Sequence, residues 1–167
     1  MLRKKRMISA IFVAFAIVVL LSISISVVYA TKPIPVSGSI NVTGGTVYSI
    51  DRAGESDNSV TYLSLKGMFT GDIAGAYTSE SRWVNHNVDT PSELWRNVHA
   101  VDTISPATVN GKTGTLYLIL DSGPGGGSWV IIGGTGDLAG LHGHGTATPA
   151  GGGVVNYEGY IHFDPES

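Results

Sequence analysis

The sequence predicts an all-β fold, a small closed antiparallel barrel of about eight strands preceded by an N-terminal hydrophobic helix. Three observations point there. Apolar residues recur at alternate positions, and nowhere beyond the first thirty residues do they keep a helical period for more than a turn or two. Turn-forming clusters interrupt these runs at short intervals. Glycine supplies 23 of 167 residues, about twice its usual share. Some of it, as at Gly67, Gly143 and Gly145, lies inside strand-like runs, where glycine marks a bulge or a tight barrel bend.

The N-terminus differs in kind from the rest. Arg3, Lys4, Lys5 and Arg6 form a basic cluster, and Met7 to Val28 is an uncharged run. It is long enough for a helix to span about 30 Å of hydrocarbon. Val28 and Ala30 also offer small residues where a signal peptidase reads. Residues 1–30 are therefore read as either a cleaved signal peptide or a retained anchor, with membrane contact through residues 7–28 if uncleaved. Both readings keep the basic end inside and place the rest outside, so the expected location is extracytoplasmic, secreted or membrane-anchored. Residues 31–39, with Pro33 and Pro35, read as an extended linker, and residues 40–167 as the barrel domain.

Within that domain the alternation is plain in three places. Leu63, Leu65 and Phe69 share one face, opposite Tyr62, Ser64 and Lys66. Leu116, Leu118 and Leu120 alternate with Tyr117, Ile119 and Asp121. At the end of the chain Val155, Tyr157, Gly159, Ile161 and Phe163 oppose Asn156, Glu158, Tyr160, His162 and Asp164. Turns are expected at Gly44-Gly45, Gly54 to Asn58, Gly71-Asp72, Asn110-Gly111, Gly123 to Gly127, Gly136-Asp137 and Pro149 to Gly153. Thr90-Pro91-Ser92-Glu93 resembles a helix start. The reading for Asn85 to Asn110 is a loop with one short turn, then a strand.

Composition excludes several functions. The chain has no cysteine, which removes a lipoprotein anchor, disulfides and thiol chemistry. Beyond residue 30, six cations face thirteen carboxylates, so the exported part carries −7. That balance gives no footprint for nucleic acid. A near-exact repeat, Thr70-Gly71-Asp72-Ile73-Ala74-Gly75 and Thr135-Gly136-Asp137-Leu138-Ala139-Gly140, reads as a recurring strand–turn–strand device.

Four stretches resemble an uncharacterised family of small domains with the allene oxide cyclase-like β-barrel fold. They are Phe69 to Gly75 with Thr78-Ser79-Glu80, Gly111 to Leu116, Trp129 to Gly145, and the closing strand Asn156 to Asp164. The third is the most specific, matching a Trp–β–Gly-Thr-Gly-acid-Leu-Ala-Gly-Leu-x-Gly-x-Gly pattern. The resemblance covers about Val60 to Asp164, with a poor match from Asn85 to Asn110. It implies an eight-stranded antiparallel barrel and no established activity. The family's structural relatives include a plant fatty-acid cyclase and dirigent proteins, and no catalytic residue of either maps onto a matching motif here.

Two groups of residues are candidates for chemistry. His142 and His144 project from one strand face, and with His162 or Glu158 on the closing strand they have metal-ligand spacing. A symmetric hairpin sets His144 near Tyr157 and His142 near Gly159; a one-residue slip brings them to Glu158 and His162. Exposed, solvated histidines are the competing account. Glu80 and Arg82 share a strand face opposite Ile73, Tyr77 and Trp83. Facing inward, they and Glu158 would polarise a bound ligand; facing outward, Glu80 and Arg82 form an ion pair of little consequence. The tryptophans at 83, 95 and 129 are expected in the core. No cofactor motif is present, since Gly123 to Gly127 lacks the Lys and the helix of a phosphate loop.

Three functions follow as expectations. The first is a non-enzymatic small-molecule-binding or structural surface module, its partner an apolar or phenolic molecule held in a barrel just wide enough for one. The second, by fold analogy, is an isomerase or cyclase acting on an apolar ligand in the barrel mouth. The third is a protein-interaction module of a surface complex.

Overall fold

The computed structural model describes residues 32–52 and 54–165. The hydrophobic helix, and with it the choice between signal peptide and anchor, lies outside the described residues. Among those described, no helix is long and apolar enough to cross a membrane.

Eight strands run in chain order: β1 (Ile34–Arg52), β2 (Asn58–Gly71), β3 (Ile73–His86), β4 (Trp95–Val109), β5 (Lys112–Gly123), β6 (Gly126–Gly136), β7 (Leu141–Gly151) and β8 (Val154–Phe163). Each pairs antiparallel with its neighbours in sequence, and β1 pairs with β8 to close the ring. A short 3-10 turn, Pro91–Glu93, sits between β3 and β4. The stretch between β3 and Asn110 thus folds as read, a loop with one turn and then a strand.

The segment expected to be a linker is a correction. From Ile34 the chain is already β1, with Ile34 to Ser37 paired to β8 alone and Gly38 the first residue paired on both sides. Pro35 is tolerated because one edge of β1 is open there, so its missing N–H leaves no ladder bond unmade.

Period-2 alternation places the core. Phe69, Ile104, Leu116, Leu118, Leu141 and Ile161 are fully buried on the inner face, each contributing about 1.5–3 kcal/mol. Four aromatics pack together inside the ring. Phe69 meets Tyr77 edge-on at 5.3 Å, and Tyr157 lies 5.8 Å from Phe69 and 6.2 Å from Trp129. The Tyr157 hydroxyl accepts from the Ile73 N–H at 2.9 Å and lies 3.0 Å from the Ile73 carbonyl, tying β8 to the β2–β3 turn.

That turn explains the repeated hexapeptide. In each copy the aspartate N–H docks on an adjacent strand, Asp72 on the Ser37 carbonyl and Asp137 on the Thr113 carbonyl, both at 3.0 Å. The residue after it, Ile73 or Leu138, is buried and caps the core. Both glycines have positive φ, 101° at Gly71 and 63° at Gly136. A Cβ at Gly71 would stand 2.4 Å from the Ser37 carbonyl oxygen, against 3.1 Å from that of Thr113 at Gly136. Gly71→Val and Gly136→Val should each cost more than about 1 kcal/mol in denaturant unfolding, because a β-branched residue is strained at positive φ. The loss at Gly71 should be the larger, and equal or negligible losses would contradict this account.

The strands are unequal. β1 to β4 run 19, 14, 14 and 15 residues, and β5 to β8 run 12, 11, 11 and 10. The surplus lies where the chain turns after β1, β3, β5 and β7. At that end the wall made by β1 to β4 extends past the rest of the ring and forms an open mouth.

Candidate functional site

The inner face at the mouth is polar on one side only. All the buried polar side chains among the described residues lie on β2, β3 and β4: Ser59, Thr61, Ser79, Ser81, Asn85 and Asp102. β5 to β8 face them with leucine, isoleucine and aromatic side chains. Asn85 is the hub nearest the mouth. Its amide donates to the Thr61 hydroxyl at 2.9 Å and the Ser59 hydroxyl at 3.1 Å, and its oxygen accepts from Arg96 Nε at 3.0 Å. The Arg96 guanidinium then lies over the Trp83 ring, 4.9 Å from its centre, in cation–π geometry.

These groups floor a pocket of about 320 Å³. Val47, Ile50, Leu63, Val88 and Leu94 make its apolar walls. The buried Trp83 Nε1–H has no hydrogen-bond partner among the described residues. A buried donor left unpaired costs about 1–3 kcal/mol, so an acceptor delivered by a ligand would recover that energy. The lip above is pinned. Arg52 pairs with Asp89, the Asp89 N–H donates to Asp57 at 2.8 Å, and the Val88 N–H donates to the Asp57 carbonyl at 3.1 Å.

Deeper in, Asp102 pairs in register with Ser79 and is hydrogen-bonded to it. Burial pushes the Asp102 carboxyl up to about 6, against the smaller opposing effect of the Ser79 bond. The Ser79 and Ser81 hydroxyls are 3.0 Å apart. Burial, helped by the nearby Asp102 charge, also raises the Tyr77 phenol to about 12. Asp102 does not line the pocket.

The residues singled out from sequence lie elsewhere. Glu80 and Arg82 are exposed on the outer face of β3. Glu80 accepts from the Tyr48 hydroxyl at 3.3 Å, and Arg82 stands in register between Tyr62 and His99. The inward alternative for this pair is thus corrected; alternation gives the inner face to Tyr77, Ser79 and Ser81. Glu158, on the outer face of β8, lines a shallow groove with His144 and Tyr160.

The β7–β8 register gives the contact with His162 named for the slipped hairpin, but not the one with Glu158. His142 opposes His162, His144 opposes Tyr160 and Glu158 opposes Thr146. β7 continues through Pro149 to Gly151 with a register shift, and the turn shrinks to Gly152-Gly153, both with positive φ. The His142 and His162 rings stack at 5.3 Å, and His142 Nε2 lies 3.0 Å from Asp164 Oδ1. Among the described residues no group of three His, Asp or Glu side chains is arranged to hold a metal ion. Trp129 is a core residue as expected, whereas Trp83 is at the pocket and Trp95 is partly exposed, stacked on His86 at 3.7 Å.

The missed residues carried a usable signal. Asp102 alternates with Ala100 and Ile104, and Asn85 continues the face of Trp83, so both belong inside by the same periodicity that placed Leu63 and Phe69.

Comparison with known proteins adds the fold and nothing about activity. No family model matches the sequence, and no curated protein does. A solved structure of a protein with unknown function from the DUF3224 family of Shewanella oneidensis MR-1 is similar over 81% of this chain and 100% of that one, with a TM-score of 0.65 and 17% identity. At that identity the likeness is one of all-β fold alone.

Proposed function

We propose that the chain is an exported or membrane-tethered barrel of the allene oxide cyclase type whose mouth binds one small apolar molecule carrying an oxygen acceptor. The observation that carries this reading is the unpaired Nε1–H of Trp83, a residue that lines a pocket with aliphatic walls. The free polar groups there are donors, the indole N–H and the guanidinium nitrogens of Arg96 not used by Asn85. A carbonyl, phenolate or carboxylate oxygen complements them. Hydroxyls, an amide, an indole and a guanidinium orient a ligand, and this favours binding over the isomerase alternative, which needs an acid or base in contact with the substrate. The extracytoplasmic location rests on the basic cluster followed by the uncharged run from Met7 to Val28.

Native mass spectrometry of protein taken from its own host should show a small-molecule adduct. With the identified compound, or with a panel of aliphatic and aromatic carboxylates and phenols, Trp83→Phe should weaken binding about tenfold, the loss of one hydrogen bond to a buried acceptor. Phenylalanine keeps an aromatic face under Arg96 but loses the second ring, so the melt without ligand is measured alongside to separate lost packing from the lost hydrogen bond. A chain that carries no adduct, and whose melt and fluorescence none of the panel shifts, would sink the proposal.

A further inference from the structure

The ring closes over only part of β1. Pairing with β8 runs from Ile34 to Asn41, and the Val42 N–H donates to the Gly153 carbonyl at 2.9 Å. Beyond that point Thr43 to Arg52 pairs with β2 alone, and among the described residues no strand pairs with the other edge of this ten-residue stretch. Such edges are usually blunted by proline, charge or a covering element. This one has no proline, its first charge is Asp51, and it exposes Val47 (52%), Tyr48 (59%) and Ile50 (64%).

We propose that this edge pairs with the same edge of a second copy, antiparallel about a two-fold axis between Val47 and Tyr48. Side-chain size and charge select that register. The strand has a bulge between Val47 and Ser49, which reverses the alternation halfway along. Gly44, Thr46, Ser49 and Asp51 stand opposite the outward residues Lys66, Ser64, Tyr62 and Val60 of β2, while Gly45 and Ile50 stand opposite the inward Leu65 and Thr61. Three equidistant pairs therefore share a face, Gly44 with Asp51, Gly45 with Ile50, and Thr46 with Ser49, while at the axis Val47 faces inward against Leu63 and Tyr48 outward to Glu80. An unbulged strand folded on the same axis would set outward residues against inward ones.

The contacts are complementary in size and sign. Ile50 of one copy lies against Gly45 of the other, a large side chain over none. Asp51 lies against Gly44 of the other copy, where the Lys66 side chain passes; a Cβ on Gly44 would come 3.1 Å from Lys66 Cε. The symmetry makes two Asp51–Lys66 pairs across the edge, opposite charges on facing strands. The assembly is isologous and closed, the ordinary form of a homodimer. It stands on the β1 edge and not on ligand binding at the mouth.

The absence of native cysteine makes the test clean. Full chains carrying Thr46→Cys alone and Ser49→Cys alone are purified in mild detergent, mixed, and oxidised gently. Facing residues on paired strands are about 5 Å apart, within disulfide reach, whereas Thr46 of the two copies would be offset by about 10 Å along the strand. The mixture should form a cross-linked dimer at least about tenfold faster than either variant alone, which is what that difference in reach implies. In sedimentation, Asp51→Lys and Lys66→Asp should each shift the full chain towards monomer, and the double exchange should restore the dimer. Equal cross-linking of the single variants would overturn the register. A monomer at every concentration, or single and double charge variants that behave as wild type, would overturn the interface, even if the chain binds another extended peptide there.

Discussion

Asp102→Asn should stabilise the domain above pH 6 by about 3 kcal/mol and flatten part of its pH dependence. The carboxyl titrates at about 6 in the folded chain against an ordinary value of 3.8. Between those values the folded chain holds a proton that the unfolded chain has released. Stability therefore falls as pH rises through that interval, and above the folded value the loss is complete, about 1.4 kcal/mol per pKa unit. Asparagine keeps the shape and can still bond to Ser79 without a charge to desolvate. Denaturant unfolding at pH 4, 5, 6 and 7 should show the variant-minus-wild-type difference growing from near zero to its plateau. A difference that is constant with pH, or of opposite sign at pH 7, would mean that Asp102 is solvated or paired in the folded chain.

The second large effect is expected on the closing strand. Ile161 is fully buried, pairs with both Ile34 and Gly143, and lies at the seam where β8 joins the two ends of the ring. Ile161→Asp should abolish the cooperative melt, since burying an unpaired carboxylate costs several kcal/mol, comparable to the whole stability of a small domain. Glu158→Ala and His162→Ala, three and one residues away on the outer face, should stay within about 0.5 kcal/mol of wild type. Far-UV circular dichroism melts of the three variants check this. An Ile161→Asp protein melting close to wild type would mean that the face assignment of β8 is inverted.

The strands whose two faces differ in hydrophobicity were legible in the sequence. β2, β5 and β8 set leucine, isoleucine and aromatics against polar residues, and alternation alone gives their inner faces. The turn at Asn110-Gly111 and the two hexapeptides were legible for the same local reason, glycine at positive φ. β3 was harder. Its inner Ser79, Ser81 and Asn85 are no more apolar than its outer Thr78, Glu80 and Arg82, so composition does not separate the faces, and attention falls on the charged pair that solvent accommodates. The β7–β8 register depended on a bulge near Ala150, which period-2 reasoning does not contain. The early start of β1 was hidden by Pro33 and Pro35, which look like linker until the missing pairing partner on one side is known. The pocket was illegible for a further reason: its lining joins residues from β1 to β4, and one group, Arg96, comes from the stretch that matched poorly.

The order of the ring around its circumference is the order of the strands along the chain. Every pairing except one is a hairpin that can form locally, and the exception, β1 with β8, joins residues as far apart as Ile34 and Ile161. Loop-closure entropy makes that contact the slow one to gain, because it must be formed across almost the whole domain before it contributes. Yet the two ends it brings together are neighbours once folded. A few residues linking Phe163 to Ile34 would turn the most distant pairing into another hairpin, and a new opening at Asn110-Gly111 would move the non-local step to β4 and β5. The native cut point is thus one choice among several that the same ring accommodates, and it sets where folding must wait rather than what is finally built.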